Sequence, residues 1–422
     1  MQQAMRGWKL LLLLCLANII AYIGVFELPP VIGNLVHDFH ITYAQAGLFM
    51  SVYALVRMIG SLVAGSFSDQ YGVKYFVVSG LLVVSVAGFL CAHSHSFTSM
   101  LVFRVMIGIG ATLIFIPGLA ASMYLLKPEQ VNLATGTFFT SMNLGLTAAL
   151  LVTPIVAASS TWRTPLNIFA GCGLLVTLVF VASTWGQSLR PEKTSSLIGR
   201  NEGFAAVGEY SIRNVPLLLI CAGYFLMLFQ AYGMITWLPE YLKVVRNYSP
   251  AQVGTVSMLL GLVMIPGTFI AGSLGDRIGA WPVGVAGTAL CALTPAALIF
   301  FPGLPIAGVF GDVFLLAVGI CFLVVPLTSI LSYLVPAKDN GKAVGLVHTT
   351  GYAGSILSTY LGGYLLTLTG SYRIPFLIFG LAMVVMLFIF LSLRSHYSAA
   401  RHWSASAAAV AAQLDVPNAS GA

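Results

Sequence analysis

The sequence predicts an all-α integral membrane protein, with twelve transmembrane helices arranged as two six-helix bundles related by a parallel repeat. Only 7% of its 422 residues are charged and 59% are hydrophobic, whereas a soluble domain carries about 25% charged residues. Apolar segments long enough to cross a bilayer follow one another along nearly the whole chain. A polar motif that begins at Gly65 in the first half begins again at Gly272 in the second. A surface that faces lipid and an internal duplication explain all three observations.

The apolar segments number twelve, and their lengths suit helices that cross a membrane. The first six predict an N-terminal bundle within residues 1–186, and the last six predict a C-terminal bundle within residues 215–396. The polar stretch 187–214 is the expected cytoplasmic linker, and residues 397–422 are expected to form a disordered cytoplasmic tail. The predicted segments are 8–32, 43–66, 75–92, 98–126, 131–157, 164–186, 215–238, 251–275, 281–301, 304–335, 342–369 and 372–394.

The basic residues predict the orientation, because lysine and arginine accumulate on the cytoplasmic side of membrane proteins. If the N-terminus is cytoplasmic, the cytoplasmic segments hold thirteen basic residues and the outer loops hold four, while Arg57 and Arg104 lie within spans. We therefore expect a multi-pass protein of the plasma membrane, which in a bacterium is the inner membrane. Both termini are expected to lie in the cytoplasm. The cytoplasmic set is Arg6, Lys9, Lys74, Lys127, Arg190, Lys193, Arg200, Arg213, Arg277, Lys338, Lys342, Arg394 and Arg401; the outer set is Arg163, Lys243, Arg246 and Arg373.

The composition argues against several classes of function. The net charge of +7 is spread singly over short loops, so no nucleic-acid partner is expected. All six cysteines fall in apolar segments without a C-x-x-C pair, which predicts no disulfide and no metal site. Walker A, H-E-x-x-H and nucleophile-elbow motifs are missing, so neither an enzyme nor a cofactor is expected. The expected partners are the lipid bilayer and a small molecule, and we expect a monomer.

The repeated motif defines the relationship between the halves. Gly65-Ser66-Phe67-Ser68-Asp69-Gln70-Tyr71-Gly72-Val73-Lys74 and Gly272-Ser273-Leu274-Gly275-Asp276-Arg277-Ile278-Gly279 share G-S-x-x-D-x-x-G. Ala44-Gln45-Ala46-Gly47 likewise recurs as Ala251-Gln252-Val253-Gly254. Six spans separate the copies, and six is even, so both halves have the same orientation. The repeat is therefore parallel, about an axis along the membrane normal.

These motifs resemble those of the major facilitator superfamily over residues 8–394. The hairpin after span 2 resembles that family's signature G-x-x-x-D-R-x-G-R-R/K, although Gln70 and Val73 depart from it. The resemblance implies a conformational gate in which glycines permit a tight turn and close helix approach; the alternative is that the hairpins only orient a turn. The gate candidates are Gly65, Asp69, Gly72 and Lys74, with Gly272, Asp276, Arg277 and Gly279 in the second copy.

Ionisable residues within spans are the strongest functional candidates, because unpaired charge in hydrocarbon is costly. Arg57 lies in the middle of span 2 and is expected to meet a carboxylate or an anionic substrate, although a structural interhelical bond stays open. Glu27, near the outer end of span 1, is a candidate for proton or substrate coupling, since a carboxyl group in an apolar cavity can carry a proton; the alternative is that it lies in outer water.

Span 4 contains a third candidate. Arg104, Gly108 and Gly110 resemble the family's R-x-x-x-G-x-G pattern, which implies a role for Arg104 in proton coupling or substrate charge; snorkelling to the outer surface is the alternative. The resemblance also implies that spans 1, 4, 7 and 10 line a central cavity. The polar and aromatic cavity candidates are Asn18, Tyr22, Tyr53, Gln230, Tyr232, Thr236, Trp237 and His348.

The resemblance implies a secondary transporter that moves a small organic solute, expected to be an anion, by proton-coupled alternating access. Multidrug or metabolite efflux is the alternative, and a non-transporting receptor on the same fold stays open. Exporters of this family often carry G-P-x-x-G-G in span 5, whereas residues 151–156 read Leu151-Val152-Thr153-Pro154-Ile155-Val156. This difference argues against drug/proton antiport and favours uptake or facilitated transport.

Overall fold

The computed structural model describes residues 2–127, 130–185, 214–335 and 340–414. The side chains at 2–6, 61–71, 332–334, 340–342 and 395–414 lie outside this description. Almost all of the linker expected at 187–214 therefore lies outside the described residues, as do the side chain of Asp69 and residues 415–422 of the expected tail.

The first half contains six spanning segments, and a short 3₁₀ helix, Pro29–Val31, interrupts the first of them. The pyrrolidine nitrogens of Pro29 and Pro30 carry no hydrogen, so the carbonyls of Val25 and Phe26 cannot make the next helical bonds and the first helix ends. The helices are α1 Gln2–Phe26, α2 Ile32–Asp38, α3 Tyr43–Tyr71, α4 Val73–Ala92, α5 Phe97–Ser122, α6 Val131–Ser159 and α7 Arg163–Ser183.

The second half repeats this order, except that its second span is divided into three helices around Met258 and Val263. Ten spans in the described residues are long and apolar enough to cross a membrane, and α3 and α14 complete the predicted twelve. The helices are α8 Val215–Val244, α9 Pro250–Ser257, α10 Leu259–Leu262, α11 Met264–Ile278, α12 Ala280–Phe300, α13 Ile306–Leu334, α14 Asn340–Thr369 and α15 Arg373–Leu414. Helix α15 thus includes residues 397–414 of the expected tail.

Packing reproduces the predicted duplication. In the N-terminal bundle α1 packs on α6, and α4 packs on α5 and α7; in the C-terminal bundle their counterparts pair in the same way, α8 with α14 and α12 with α13 and α15. Between the bundles, α3 packs on α14, while α6 packs on α9 and α10. These two interfaces exchange with each other under the repeat, so the predicted parallel six-plus-six architecture is confirmed.

The two ends of the molecule differ in how the bundles meet. We call the end that carries the turn after Asp38 the Asp38 end, and the end that carries the hairpin at Gly72 the Gly72 end. Near the Asp38 end, the Ser51 hydroxyl lies 2.7 Å from the Thr359 hydroxyl and donates to the carbonyl of Ile356 at 2.9 Å. The backbone N–H of Ala44 donates to the Thr367 hydroxyl at 3.0 Å. The bundles are therefore closed together at the Asp38 end.

Candidate binding site between the two bundles

Arg57 lies at the midpoint of α3 and is 2% exposed. Its Nε donates to the hydroxyl of Tyr352 on α14 at 3.1 Å, and its Nη2 donates to the hydroxyl of Tyr22 on α1 at 3.3 Å. Its guanidinium carbon lies 3.9 Å from the ring centroid of Phe115, within cation–π range. The remaining nitrogen, Nη1, is buried and makes no hydrogen bond to any described residue.

No described carboxylate neutralises Arg57. The ion pairs within 4.0 Å among the described residues all involve Asp38, with His37 and Arg163 at the molecule's end. Asp69 is on the same helix, but twelve residues of α-helix separate it from Arg57 by about 18 Å. Arg57 is therefore a buried cation whose nearest described partners are phenol hydroxyls and an aromatic ring.

Five aromatic side chains from both bundles lie around this guanidinium, and a sixth, Phe26, packs against two of them; we call the six the aromatic cage. Tyr22 contacts Phe26 and Phe115, with ring centroids 6.1 and 6.2 Å apart, and Phe26 contacts Tyr232 at 5.9 Å. Tyr232 lies within electrostatic range of Arg57 and of the other tyrosines in the group. The aromatic cage consists of Tyr22, Phe26, Tyr53, Phe115, Tyr232 and Tyr352. Arg57 and the predicted candidates Tyr22, Tyr53 and Tyr232 thus come together at one place.

Other predicted cavity residues point elsewhere. The Asn18 amide donates to the Ser141 hydroxyl at 2.9 Å, inside the N-terminal bundle, and the Gln230 amide donates to the carbonyl of Cys291 at 3.3 Å, inside the C-terminal bundle. Thr236 and Trp237 are buried in α8, and the Trp237 ring packs on Tyr43. Asn18 and Gln230 thus donate hydrogen bonds within their own bundles, and Trp237 packs against Tyr43.

His348 on α14 is exposed, and its ring packs edge-on against Tyr224 at 5.4 Å. It belongs to the same helix as Tyr352, one turn closer to the Gly72 end. Its position is compatible with a vestibule that leads from that end toward Arg57.

Arg104 on α5 is 0% exposed, so the snorkelling alternative is wrong. Its Nη1 donates to the carbonyl of Gly24 at 2.7 Å and its Nη2 to that of Val25 at 2.8 Å, while Nε donates to the carbonyl of Phe49 at 3.3 Å. Two of these carbonyls belong to the last turn of α1, where helical partners run out before Pro29. The guanidinium satisfies them and joins α1, α3 and α5.

Glu27 follows the last residue of α1 and is 1% exposed, so the alternative that it lies in outer water is wrong. Its Oε1 makes no hydrogen bond to a described residue. Arg104 is the cation near it, but the two are not within the 4.0 Å of an ion pair. Glu27 and Arg104 are therefore both buried inside the N-terminal bundle.

The two hairpins have the backbone geometry that the sequence predicts. Gly72 has φ = 87° and Gly279 has φ = 94°, a region that residues with a Cβ rarely adopt. Lys74 donates to the carbonyl of Thr184, beyond the end of α7, at 2.7 Å. Asp276 and Arg277 are exposed at the end of α11. Gly272 makes no close approach, since an added Cβ would lie 3.9 Å from Val325; the side-chain environment of Gly65 and Asp69 lies outside the described residues.

Sequence reasoning missed two features of the site region. Phe26 and Phe115 were not selected, because a phenylalanine in an apolar span has no distinguishing pattern. Glu240 was also missed, although it lies two residues beyond the predicted end of span 7 at residue 238. It is 2% exposed, and its carboxylate lies against the backbone of Gly33 in the other bundle. Nearby, Lys243 donates to Asn34 Oδ1 at 3.0 Å.

Two six-helix bundles that enclose a buried, aromatic, cationic site define a polytopic membrane transporter rather than an enzyme. The chain matches the Major Facilitator Superfamily over residues 14–357 and belongs to that family. The expected family and fold are thereby confirmed.

Several relatives are similar over most of their length. The probable sulfoacetate transporter of Cupriavidus necator is 25% identical over 90% of this chain and 92% of its own. The sialic acid transporter of Escherichia coli is 27% identical over 78% and 80%, respectively. A solved bacterial homologue of the human lysosomal transporter Spinster, in an inward-facing and unoccupied conformation, superposes with a TM-score of 0.73 at 16% identity, covering 94% of this chain and 97% of that one.

Proposed function

We propose that this protein is a secondary transporter of a small organic anion, and that Arg57 binds the anion. The observation that carries the proposal is the buried guanidinium of Arg57, which has a free Nη1 and no carboxylate partner among the described residues. A charge held at the centre of a membrane protein needs compensation, and a bound anion would supply it. Relatives named for sulfoacetate and sialic acid, both organic acids, support the same substrate class.

We propose alternating access as the mechanism. The bundles touch through α3 and α14 near the Asp38 end, while His348 is exposed on the Gly72 side of Arg57. If the basic-residue bias gives the orientation, this conformation faces the cytoplasm. Rocking of the bundles would then expose Arg57 to the other side. The hairpin residues around Gly72 and Gly279 stay our candidates for the conformational gate.

Proton coupling through Glu27 is the second part of the proposal. The carboxyl group is buried inside the N-terminal bundle, close to Arg104 but not paired with it. An ionised carboxylate without a partner is costly there, so binding of a proton would relieve the cost. Because Arg104 joins α1, α3 and α5, a change of charge on Glu27 would act on the helices that carry Arg57 and Tyr22.

The anion proposal is tested by flux measurements in proteoliposomes with a panel of organic acids. The wild-type protein should accumulate at least one acid, and Arg57→Gln should reduce its uptake about a hundredfold, because truncating a charged partner removes several kcal/mol of binding. Arg57→Lys should fall between the two, since an ammonium keeps the charge but lacks the planar fork. Export of lipophilic cations that is unaffected by Arg57→Gln would support efflux instead and refute the proposal.

The proton proposal is tested with an imposed pH gradient. Glu27→Gln should abolish pH-driven accumulation but keep exchange of internal for external solute, because the amide cannot release a proton and the anion site is intact. Solute uptake by the wild-type protein should alkalinise the outer medium. Full pH-driven transport by Glu27→Gln would remove this residue from the mechanism.

A further inference from the structure

We infer that the substrate of this site is an aromatic monocarboxylate, an anion with one carboxylate and a flat ring. The inference rests on the proposed function, because it concerns the same site around Arg57. It follows from two features that anion binding alone does not require: the number of cationic groups and the chemistry of the surrounding side chains.

The charge of the site favours a single carboxylate. Arg57 has one buried nitrogen, Nη1, that makes no hydrogen bond to a described residue. Arg104, the other arginine within the spans, uses all three of its nitrogens on backbone carbonyls. Lys74 and Lys243 donate to Thr184 and Asn34 near the ends of the bundles. The one free cationic group among these described side chains can compensate one negative charge, whereas the second charge of a dianion would be buried without a partner.

The side chains around Arg57 favour a ring. Tyr22, Phe26 and Tyr232 form a continuous aromatic wall, with neighbouring centroids 5.9 to 6.1 Å apart, that leads from Arg57 across to the other bundle. A flat ring joined to a carboxylate on Arg57 would pack against this wall in offset or edge-to-face geometry. The chain of rings includes residues from both bundles, so such a ligand would contact both of them.

Among the described residues, the hydrogen-bonding groups that face Arg57 are phenol hydroxyls. Four phenol hydroxyls surround Arg57, and two of them already accept from its guanidinium. The amides of Asn18 and Gln230 donate inside their own bundles. A polyhydroxylated acid would bring several hydroxyls into this environment, and each one left without a partner would cost free energy. An aromatic acid with few hydroxyls fits the wall and the limited set of partners.

The experiment measures uptake by proteoliposomes and thermal stabilisation of the purified protein with four probes. The first, 4-hydroxybenzoate, is an aromatic monocarboxylate. Cyclohexanecarboxylate has a saturated ring, glucuronate is polyhydroxylated, and phthalate carries a second carboxylate, so each of the three tests one property of the ligand. We expect 4-hydroxybenzoate to be transported and the other three to be at least tenfold poorer substrates. Glucuronate or phthalate transported as well as 4-hydroxybenzoate would overturn the inference.

Two variants test the role of the wall. Tyr232→Leu should weaken 4-hydroxybenzoate uptake about fivefold, the loss expected for one aromatic contact, and Tyr232→Phe should keep most of it. Tyr364→Leu is the matched control, since Tyr364 is an exposed tyrosine on α14. Equal uptake by Tyr232→Leu and Tyr364→Leu would contradict the inference.

The outcomes also separate this inference from the function on which it rests. If glucuronate is taken up and its uptake depends on Arg57, the protein transports organic anions but its substrate is not an aromatic acid. Uptake of no anion, together with Arg57-independent flux of a cation or a neutral compound, would remove the anion proposal itself.

Discussion

Arg57 and Arg104 show how the same side chain performs different tasks at two buried positions. Arg104 donates to three carbonyls, two of them at the end of α1, where Pro29 and Pro30 leave the backbone without partners. Arg57 donates to two phenol hydroxyls and keeps Nη1 free. A guanidinium whose nitrogens are all occupied stabilises the fold, while one with a free nitrogen can bind a ligand. The sequence predicts both as functional charges and cannot distinguish their partners.

Replacement of Arg104 should therefore reduce stability before it affects substrate recognition. Arg104→Lys keeps the charge, but a single ammonium cannot reach the carbonyls of Gly24, Val25 and Phe49 together. We expect a loss of about 3 kcal/mol, because hydrogen bonds to charged groups contribute about 1.5–3 kcal/mol each. The measurement is the unfolding midpoint of the purified protein in detergent.

The matched control for this substitution is Arg277→Lys at an exposed position at the end of α11. An exposed substitution away from any network should change stability by less than about 0.5 kcal/mol. If Arg104→Lys unfolds at the same temperature as Arg277→Lys, the carbonyl contacts do not stabilise the fold.

At the scale of elements, the repeat preserves contacts even where it changes residues. Lys74 donates to the carbonyl of Thr184 beyond the end of α7. Trp281 occupies the equivalent position 207 residues later, and its Nε1 donates to the carbonyl of Phe390 in α15 at 2.7 Å. Trp281 thus keeps a hydrogen-bond donor at the position that Lys74 occupies in the first hairpin. Both hairpins therefore donate a hydrogen bond to the last span of their own half.

The repeated Ala-Gln-x-Gly motif also has a structural explanation. Gln45 with Thr42, and Gln252 with Ser249, form reciprocal side-chain and backbone bonds at the starts of α3 and α9. The glycines that follow, Gly47 and Gly254, lie where the bundles cross. An added Cβ at Gly47 would overlap the carbonyl oxygen of Thr359, and one at Gly254 would lie 2.7 Å from that of Leu151.

Gly47→Ala should prevent full closure at the Asp38 end. The methyl group must displace backbone of α14, so the conformation open at this end should become more populated. A cysteine introduced at Ser51, which is buried in this interface, should then react severalfold faster with a thiol reagent. The measurement uses a background in which Cys172, the exposed cysteine among the six, is replaced by serine.

Gly171→Ala provides the control, since an added Cβ there meets nothing within 4 Å. It should leave labelling at position 51 unchanged. If the cysteine at position 51 reacts as slowly in Gly47→Ala as in Gly171→Ala, the interface accommodates the methyl group without opening.

At the scale of the whole molecule, the sequence predicts the fold far better than it predicts the site. Span count and repeat follow from hydropathy and from motifs such as the hairpins, and the structure agrees with them. The predicted cavity set stays a prediction: Tyr22, Tyr53 and Tyr232 lie near Arg57, whereas Asn18 and Gln230 donate hydrogen bonds within their own bundles. A helix that is apolar toward lipid and toward its neighbours does not reveal in its sequence which face is turned inward. The sequence does not indicate a role for Glu240 for a related reason, since Gly33, which it contacts, belongs to the other bundle.

Glu240 yields the last prediction, because its buried carboxylate joins the two bundles at the Asp38 end. Glu240→Ala should remove the contact of this buried carboxylate with the Gly33 backbone and shift the population about tenfold toward the conformation open there. Glu240→Gln is the matched control, because its amide keeps the shape of the side chain and can make the same contact with Gly33. Spin labels on cysteines at the exposed positions His95 and Gly303 measure the separation of the bundles. Identical distance distributions for Glu240→Ala and Glu240→Gln would mean that closure depends on the packing of Gly47 and Gly254 rather than on this carboxylate.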